Sequence, residues 1–203
     1  MLAGTNGAGK SSVAGAMFRQ SGADYFNPDE AATRILEANP GVSRTEANSA
    51  AWHEGKRLLE RAIDERLDFA FETTLGGNTI PDLLQKALSQ GIDVRIWFVG
   101  LDSPDLHIAR VQSRVARGGH DISEEKIRLR YDRSRTNLIE LIPALTELKV
   151  YDNSLEADPA AGSAPQPRLI LHVAHRRIVE CGKLADTPDW AKPLVMSAIR
   201  LAK

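Results

Sequence analysis

A doubly wound α/β fold with a mainly parallel sheet is what the sequence predicts, and three observations carry that reading. Candidate strands alternate with candidate helices along most of the chain, the pattern of βαβ units. Residues 4–11 read GTNGAGKS, the full spacing G-x-x-x-x-G-K-[ST], with a helix-compatible run directly behind it. Between residues 110 and 135, seven arginines and one lysine stand against four carboxylates, a local charge of +4 in a chain whose net charge is −1. Together these refine the fold to the P-loop NTPase type with a helical, arginine-bearing lid.

The elements follow in order. Three residues precede the first glycine, whereas a buried first strand has about five, so part of that strand is expected upstream. Residues 10–20 are small and apolar and read as the helix behind the glycine loop. Apolar and β-branched clusters predict strands at 24–27, 69–73, 94–101, 149–152 and 169–175, with a weaker one at 177–181. The helix over 29–38 opens with Asp29 and Glu30 and stops before Asn39-Pro40-Gly41. A long helix over 44–66 carries Ala47, Ala51, Leu58, Leu59, Ala62 and Ile63 at helical spacing. Pro81 sits in the first turn of a helix over 80–90, and Pro104 opens another that runs to 117. Ser123 and two acids start a helix through 137, with 139–148 continuing it after a break at Pro143. Residues 156–168, dense in Ala, Pro, Gly and Ser, read as a connection inside the domain. Residues 188–201 read as a terminal helix packed through Trp190, Leu194 and Ile199. The organisation expected is one domain over 1–203, its lid at about 105–137 and a C-terminal strand and helix region at 168–203.

Composition excludes several classes of function. With 203 residues, 42 % hydrophobic and 26 % charged, the chain can bury a real core and is not disordered over most of its length. No run approaches the roughly 18 apolar residues that cross a bilayer, and the start runs into glycines, so neither a membrane span nor a secretory signal is expected. The single Cys181 makes no internal disulfide and no zinc site of the usual spacing, which points to the cytoplasm. Balanced charge and 5 % aromatics leave little to attract or stack nucleic acid, so that partner is not expected.

The chemistry starts at the glycine loop. Glycines let successive N–H groups of Gly4, Thr5, Asn6, Gly7, Ala8, Gly9, Lys10, Ser11 and Ser12 converge on phosphate oxygens, and the helix behind presents its positive dipole end. Lys10 would neutralise the outer phosphates of ATP, and Ser11 would offer its hydroxyl to Mg2+, an ion that takes oxygen ligands. Asp29, in FNPDE behind the second candidate strand, lies at the carboxyl edge of the sheet, where it can take a proton from an attacking hydroxyl or cap the helix it opens. Glu72 ends an otherwise apolar strand in FETTL at the same edge, where an unpartnered acid is costly. Asn27, Thr73 and Thr74 share these two segments and form, with Glu72, the candidate acceptor side. Arg110, Arg114 and Arg117 share one helical face, and beyond a Gly118-Gly119 bend Arg130 and Arg133 return toward it; such a pair of helices suits a lid over transferring phosphate. His120 beside that bend either touches phosphate or serves the hinge. His53, His107, His172 and His175 show no metal spacing and read as structural or surface residues. Trp52, Trp97 and Trp190 read as core or interface anchors, and Cys181 as a buried, inert thiol.

The run of motifs GTNGAGKSS, FNPDE, FETTL, RVQSRVARGGHDI with RLRYDRSRTNL, and VYDNS resembles the zeta-toxin-like family of small P-loop kinases over about residues 4–154. That resemblance implies ATP-dependent phosphoryl transfer to a small-molecule hydroxyl, in studied members that of UDP-N-acetylglucosamine, a nucleotide sugar. It implies that Lys10 and Ser11 serve nucleotide and magnesium, that Asp29 is the general base, and that Glu72 and Thr74 belong to a substrate-side acidic motif. Arg114, Arg117 and Arg130 fall in the stretch that holds the phosphate-contacting arginines, and a protein antitoxin is the implied partner. A P-loop ATPase or nucleotide switch that acts on a protein or nucleic-acid partner is the alternative; it would hydrolyse ATP without an acceptor.

Overall fold

A computed structural model describes residues 1–11, 25–155 and 167–201. The sheet has the order β2-β1-β3-β4-β5-β6, with β1 (Leu2–Ala3), β2 (Glu72–Thr73), β3 (Arg95–Gly100), β4 (Glu147–Asp152), β5 (Arg168–Ala174) and β6 (Arg177–Cys181). The pairs β2/β1, β1/β3 and β3/β4 are parallel, whereas β4/β5 and β5/β6 are antiparallel. The mainly parallel α/β sheet is thus present, extended on one side by a C-terminal hairpin.

The predicted strand at 24–27 is reduced to one parallel bridge, Phe26 to Phe71, and Asp24 lies outside the described residues. The segment predicted at 69–73 forms a ladder only at Glu72–Thr73. Its neighbours still hold it on both sides, because Leu2 N donates to Phe71 O at 2.9 Å and Phe26 N donates to Ala70 O at 2.8 Å. The ladder is short because β1 ends at Ala3, where the chain turns into the glycine loop.

Helices α1 (Pro28–Ala38), α2 (Arg44–Glu65), α3 (Thr79–Ser89), α4 (Pro104–Val115), α5 (Glu124–Leu141) and α6 (Lys192–Leu201) lie close to their expected bounds. Local chemistry sets their starts. Asn27 caps α1 by accepting from Asp29 N, Ser43 and Glu46 form a capping box on α2, and Ser103 caps α4 ahead of Pro104. Two readings need correction. The helix placed at 139–148 stops at Leu141, a 3-10 turn over Ile142–Ala144 absorbs Pro143, and residues 147–148 belong to β4. Proline tolerates the first turn of that tighter helix and cannot donate inside a longer one. The terminal helix begins at Lys192, with residues 188–191 forming the turn that leads into it. The helix expected at 10–20 beyond Ser11, and the connection expected at 156–168 up to residue 166, lie outside the described residues.

The core follows from the period of two along the strands. Ile96 and Phe98 of β3 face a large cluster that includes Leu59 and Ile63 of α2, Leu84 and Ala87 of α3, Leu138 and Leu141 of α5, and Leu194 and Val195 of α6. Val99 and Tyr151 face the other side with Leu2 and Ala8, and Trp97 packs there. The second half of α5 is therefore anchored in the main core, while its first half packs on α4 through Ile127, Ile108 and Val111. Trp190 is buried beside Phe98, its indole N–H donating to Asp152 at 3.2 Å, and it fulfils the anchor role expected of it. Cys181 is a free, half-buried thiol whose pKa desolvation raises. Among the described residues no helix is long and apolar enough to cross a membrane.

Gly100 ends β3 directly under the Trp190 ring, where a methyl group would collide with three ring carbons. Replacement Gly100→Ala must displace the indole and its bond to Asp152. It is expected to lower stability by about 1–3 kcal/mol in urea unfolding, the usual cost of overpacking.

Candidate active site

Every residue of the sequence-derived site within the described residues lies at the carboxyl edge of the parallel strands, and most face one cleft of about 1630 Å³. The cleft is lined by Asn6, Gly7, Gly9, Lys10 and Ser11 of the glycine loop and by Asn27, Asp29, Glu72, Thr73 and Thr74. Gly4, Thr5 and Ala8 are buried behind this surface and act as its backing, and Ser12 lies outside the described residues.

The loop folds back through positive φ at Gly7 (83°) and Gly9 (85°), conformations open to glycine. A Cβ at Gly7 would stand 2.6 Å from His107 O, so the loop must be bare where α4 crosses it. Four side-chain contacts clamp it. Thr5 Oγ1 lies 3.2 Å from Ser134 Oγ, Arg130 Nη1 donates to Asn6 Oδ1 at 2.7 Å, His107 Nδ1 lies 2.8 Å from Asn6 O, and Asn153 Nδ2 donates to Ala8 O at 2.9 Å.

Glu72 is the hub of the charged centre. Its carboxylate is 3.6 Å from Lys10 Nζ, accepts from Ser11 Oγ at 2.8 Å and lies 3.4 Å from Asn27 Nδ2. The Lys10 and Glu72 side chains are only 7 % and 10 % exposed. At 3.6 Å and an effective dielectric constant of about 20, the pair attracts by roughly 5 kcal/mol, close to what desolvating the two ions costs. Such a pair adds little net stability and yields readily to an anion of higher charge. Glu72 thus stands against Lys10 and Ser11 of the glycine loop.

Asp29 sits in the first turn of α1, aimed into the cleft and mostly exposed, with Arg114 Nη1 3.9 Å from its carboxylate. Arg114 also donates through Nη2 to His120 O at 2.8 Å. His120 Nε2 lies 3.3 Å from Asn48 Nδ2, so the turn between α4 and α5 leans on α2. Arg130 is more enclosed: burial pulls its guanidinium below the usual arginine range, and the charge of Asp29 opposes that shift. Arg117, in the turn just after α4, is exposed; it also lines the cleft, and its guanidinium donates back to Ser113 O and Oγ. Thr73 and Thr74 accept from Leu75 N and Gly76 N and shape the bend at Leu75, a buried residue at φ 56° that Asn137 holds by its carbonyl at 2.7 Å.

Oxygen donors of Ser11 and Glu72 meet at 2.8 Å beside Lys10. This donor set fits Mg2+, which takes one or two protein oxygens and completes its shell with phosphate and water. Among the described residues no three His, Cys, Asp or Glu side chains converge on a metal position.

One residue that lines the cleft departs from its reading in the sequence. Trp52 is 43 % exposed and lines the cleft, although it reads as a core or interface anchor. The periodicity of α2 carries the signal: Thr45, Asn48, Ser49, Trp52 and Lys56 share a face turned away from the buried Ala47 and Ala51. His107, read as structural or surface, is structural: it is buried outside the cleft lining and supports the loop from one turn inside α4.

A family model described as Zeta toxin matches residues 1–157. An uncharacterized protein of Haemophilus influenzae is 32 % identical over 129 residues, which is 63 % of this chain and 88 % of that one. Among solved structures, AvrRxo1-ORF1:AvrRxo1-ORF2 with sulphate ions superposes with TM-score 0.61 at 14 % identity, covering 99 % of this chain and 75 % of the other. The AvrRxo1-ORF1:-ORF2 structure with ATP gives 0.60 at 13 % identity, covering 97 % and 62 %. At such identity these likenesses show the fold.

Burial near Lys10, Arg110 and Arg135 lowers the pKa of His107 to about 4, against an ordinary 6.5. Between these values the unfolded chain binds a proton that the folded chain refuses, so stability falls as pH drops from 6.5 to 4, by up to about 3 kcal/mol. Urea unfolding at several pH values is expected to show this loss, and His107→Asn to flatten that part of the profile.

Proposed function

This chain belongs to the zeta-toxin family, and we propose that it is an ATP- and magnesium-dependent kinase that phosphorylates a hydroxyl of a small molecule. One observation carries the reading: Lys10, Ser11, Asp29, Glu72, Arg114 and Arg130 share a single cleft whose volume, about 1630 Å³, exceeds the roughly 300–1,000 Å³ that one small ligand fills. A phosphate donor and an acceptor fit it together. The nucleotide seen with the AvrRxo1 neighbour, ATP, supports the choice of donor.

In this mechanism the loop amides and Lys10 hold the outer phosphates, and Lys10 exchanges Glu72 for them. Asp29 accepts the proton of the acceptor hydroxyl. The oxygen forms its bond to the γ-phosphorus as the bond to the bridging oxygen breaks, and ADP leaves. Arg114 and Arg130 meet the charge on the transferring group. A magnesium ion held by Ser11, with Glu72 beside it, supplies further charge neutralisation when bound. Glu72, once free of Lys10, together with Asn27, Thr74 and His120, positions the acceptor. We place a nucleotide sugar such as UDP-N-acetylglucosamine first among acceptors; the flat, half-exposed face of Trp52 in the cleft suits its base or sugar ring. A partner protein belongs to the same reading, since both AvrRxo1 structures are two-protein complexes.

Phosphorus NMR of the protein with ATP, magnesium and a panel of nucleotide sugars and related metabolites is expected to show a new phosphomonoester. ATP consumption without any new ester would favour the hydrolytic switch. Asp29→Asn is expected to lower turnover by about 10²–10⁴-fold, the range for loss of a general base. Trp52→Ala is expected to raise the acceptor KM severalfold and leave the KM for ATP unchanged; equal changes in both would remove Trp52 from the acceptor wall.

A further inference from the structure

Asn6 is held at both of its ends. Its carbonyl only accepts, so the Nδ1 of His107 at 2.8 Å carries the proton, and the ring, buried to 1 % exposure, is neutral with its lone pair on Nε2. Its side-chain oxygen accepts from Arg130 Nη1 at 2.7 Å. The same turn of α4 presses on the next residue as well, His107 O standing where Gly7 leaves room. A neutral amide is the informative choice for the second contact. A carboxylate at residue 6 would fix Arg130 more strongly but would also spend its charge, whereas the amide orients the guanidinium and leaves the whole positive charge to a ligand. The main chain that carries this amide has no ladder to keep it in place, and the histidine on α4 takes over that task.

We infer that His107 is a positioning residue: by holding the main chain of Asn6 it sets where Arg130 stands over the phosphate loop, and so how tightly the site grips a polyphosphate. This rests on the nucleotide reading above. The chain of contacts runs from α4 through the loop to α5, joining both arms of the arginine-bearing segment at one residue.

Calorimetric titration with ATP and magnesium tests it on the full chain, with melting temperatures recorded for each variant. His107→Leu is expected to weaken ATP binding by about five- to tenfold, the size of one hydrogen bond. His107→Asn, which keeps an N–H at the same reach, is expected to stay within about twofold. The double variant His107→Leu/Arg130→Ala is expected to bind no worse than Arg130→Ala alone, because both act on one contact. Should His107→Leu fail to fold, Asn6→Ala interrupts the same path and is expected to show the same non-additivity. Unchanged affinity in His107→Leu, or losses that multiply fully in the double variant, would overturn the inference and leave the nucleotide reading intact. Failure of the unaltered chain to bind ATP would overturn both.

Discussion

A loop that must turn its amides toward a ligand cannot spend them on a ladder, and the rest of this structure is arranged around that constraint. Residues 4–11 have positive φ at their glycines and few bonds of their own, so their shape is imposed from outside. Asn153 from the end of β4 holds Ala8, Ser134 from α5 holds Thr5, and His107 from α4 and Arg130 from α5 both hold Asn6. The parallel order of β2, β1, β3 and β4 brings the ends of these elements to one edge. Anchoring the second half of α5 in the main core makes it a firm support for the loop.

The electrostatic counterpart is Glu72. An acid at the end of an apolar strand is costly alone, and here it is satisfied by Lys10, Ser11 and Asn27, the groups that the nucleotide reading assigns to phosphate, metal and acceptor. The pair with Lys10 is near break-even, which suits a contact that is exchanged during turnover. Across the cleft Arg114 approaches Asp29, and Arg130 loses part of its hydration, so the positive charge of the lid is focused where a transferring group would lie. A chain with net charge −1 thus presents a strongly polarised cleft.

Much of this was legible in the sequence because the signals are local. The glycine loop, the helix starts marked by Asp29-Glu30 and Pro104, and the strands of the parallel sheet announce themselves by spacing. What the sequence withheld depends on tertiary placement. The strand at 24–27 shrank to one bridge because its partner ladder is short, and Pro143 ended a helix within a 3-10 turn. Arg114, Arg117 and Arg130 look alike in sequence and all line the cleft, yet their partners differ: Arg114 approaches Asp29, Arg130 donates to Asn6, and Arg117 donates back to Ser113. His107 gave no periodic signal because its function is a single bond to a residue 101 positions away. Trp52 was readable from the helical face it shares with polar residues, a pattern that outweighs the general tendency of tryptophan to be buried.

The claim on which the account turns is that Glu72 keeps Lys10 and Ser11 in the places that nucleotide and metal take. A crystal structure with a non-hydrolysable ATP analogue and magnesium tests it most directly. The account predicts the outer phosphates within the loop amides, Lys10 Nζ on phosphate oxygen and no longer on Glu72, and the Ser11 hydroxyl turned from Glu72 to the ion. A nucleotide bound elsewhere, with the Lys10 and Ser11 contacts to Glu72 unchanged, would contradict it.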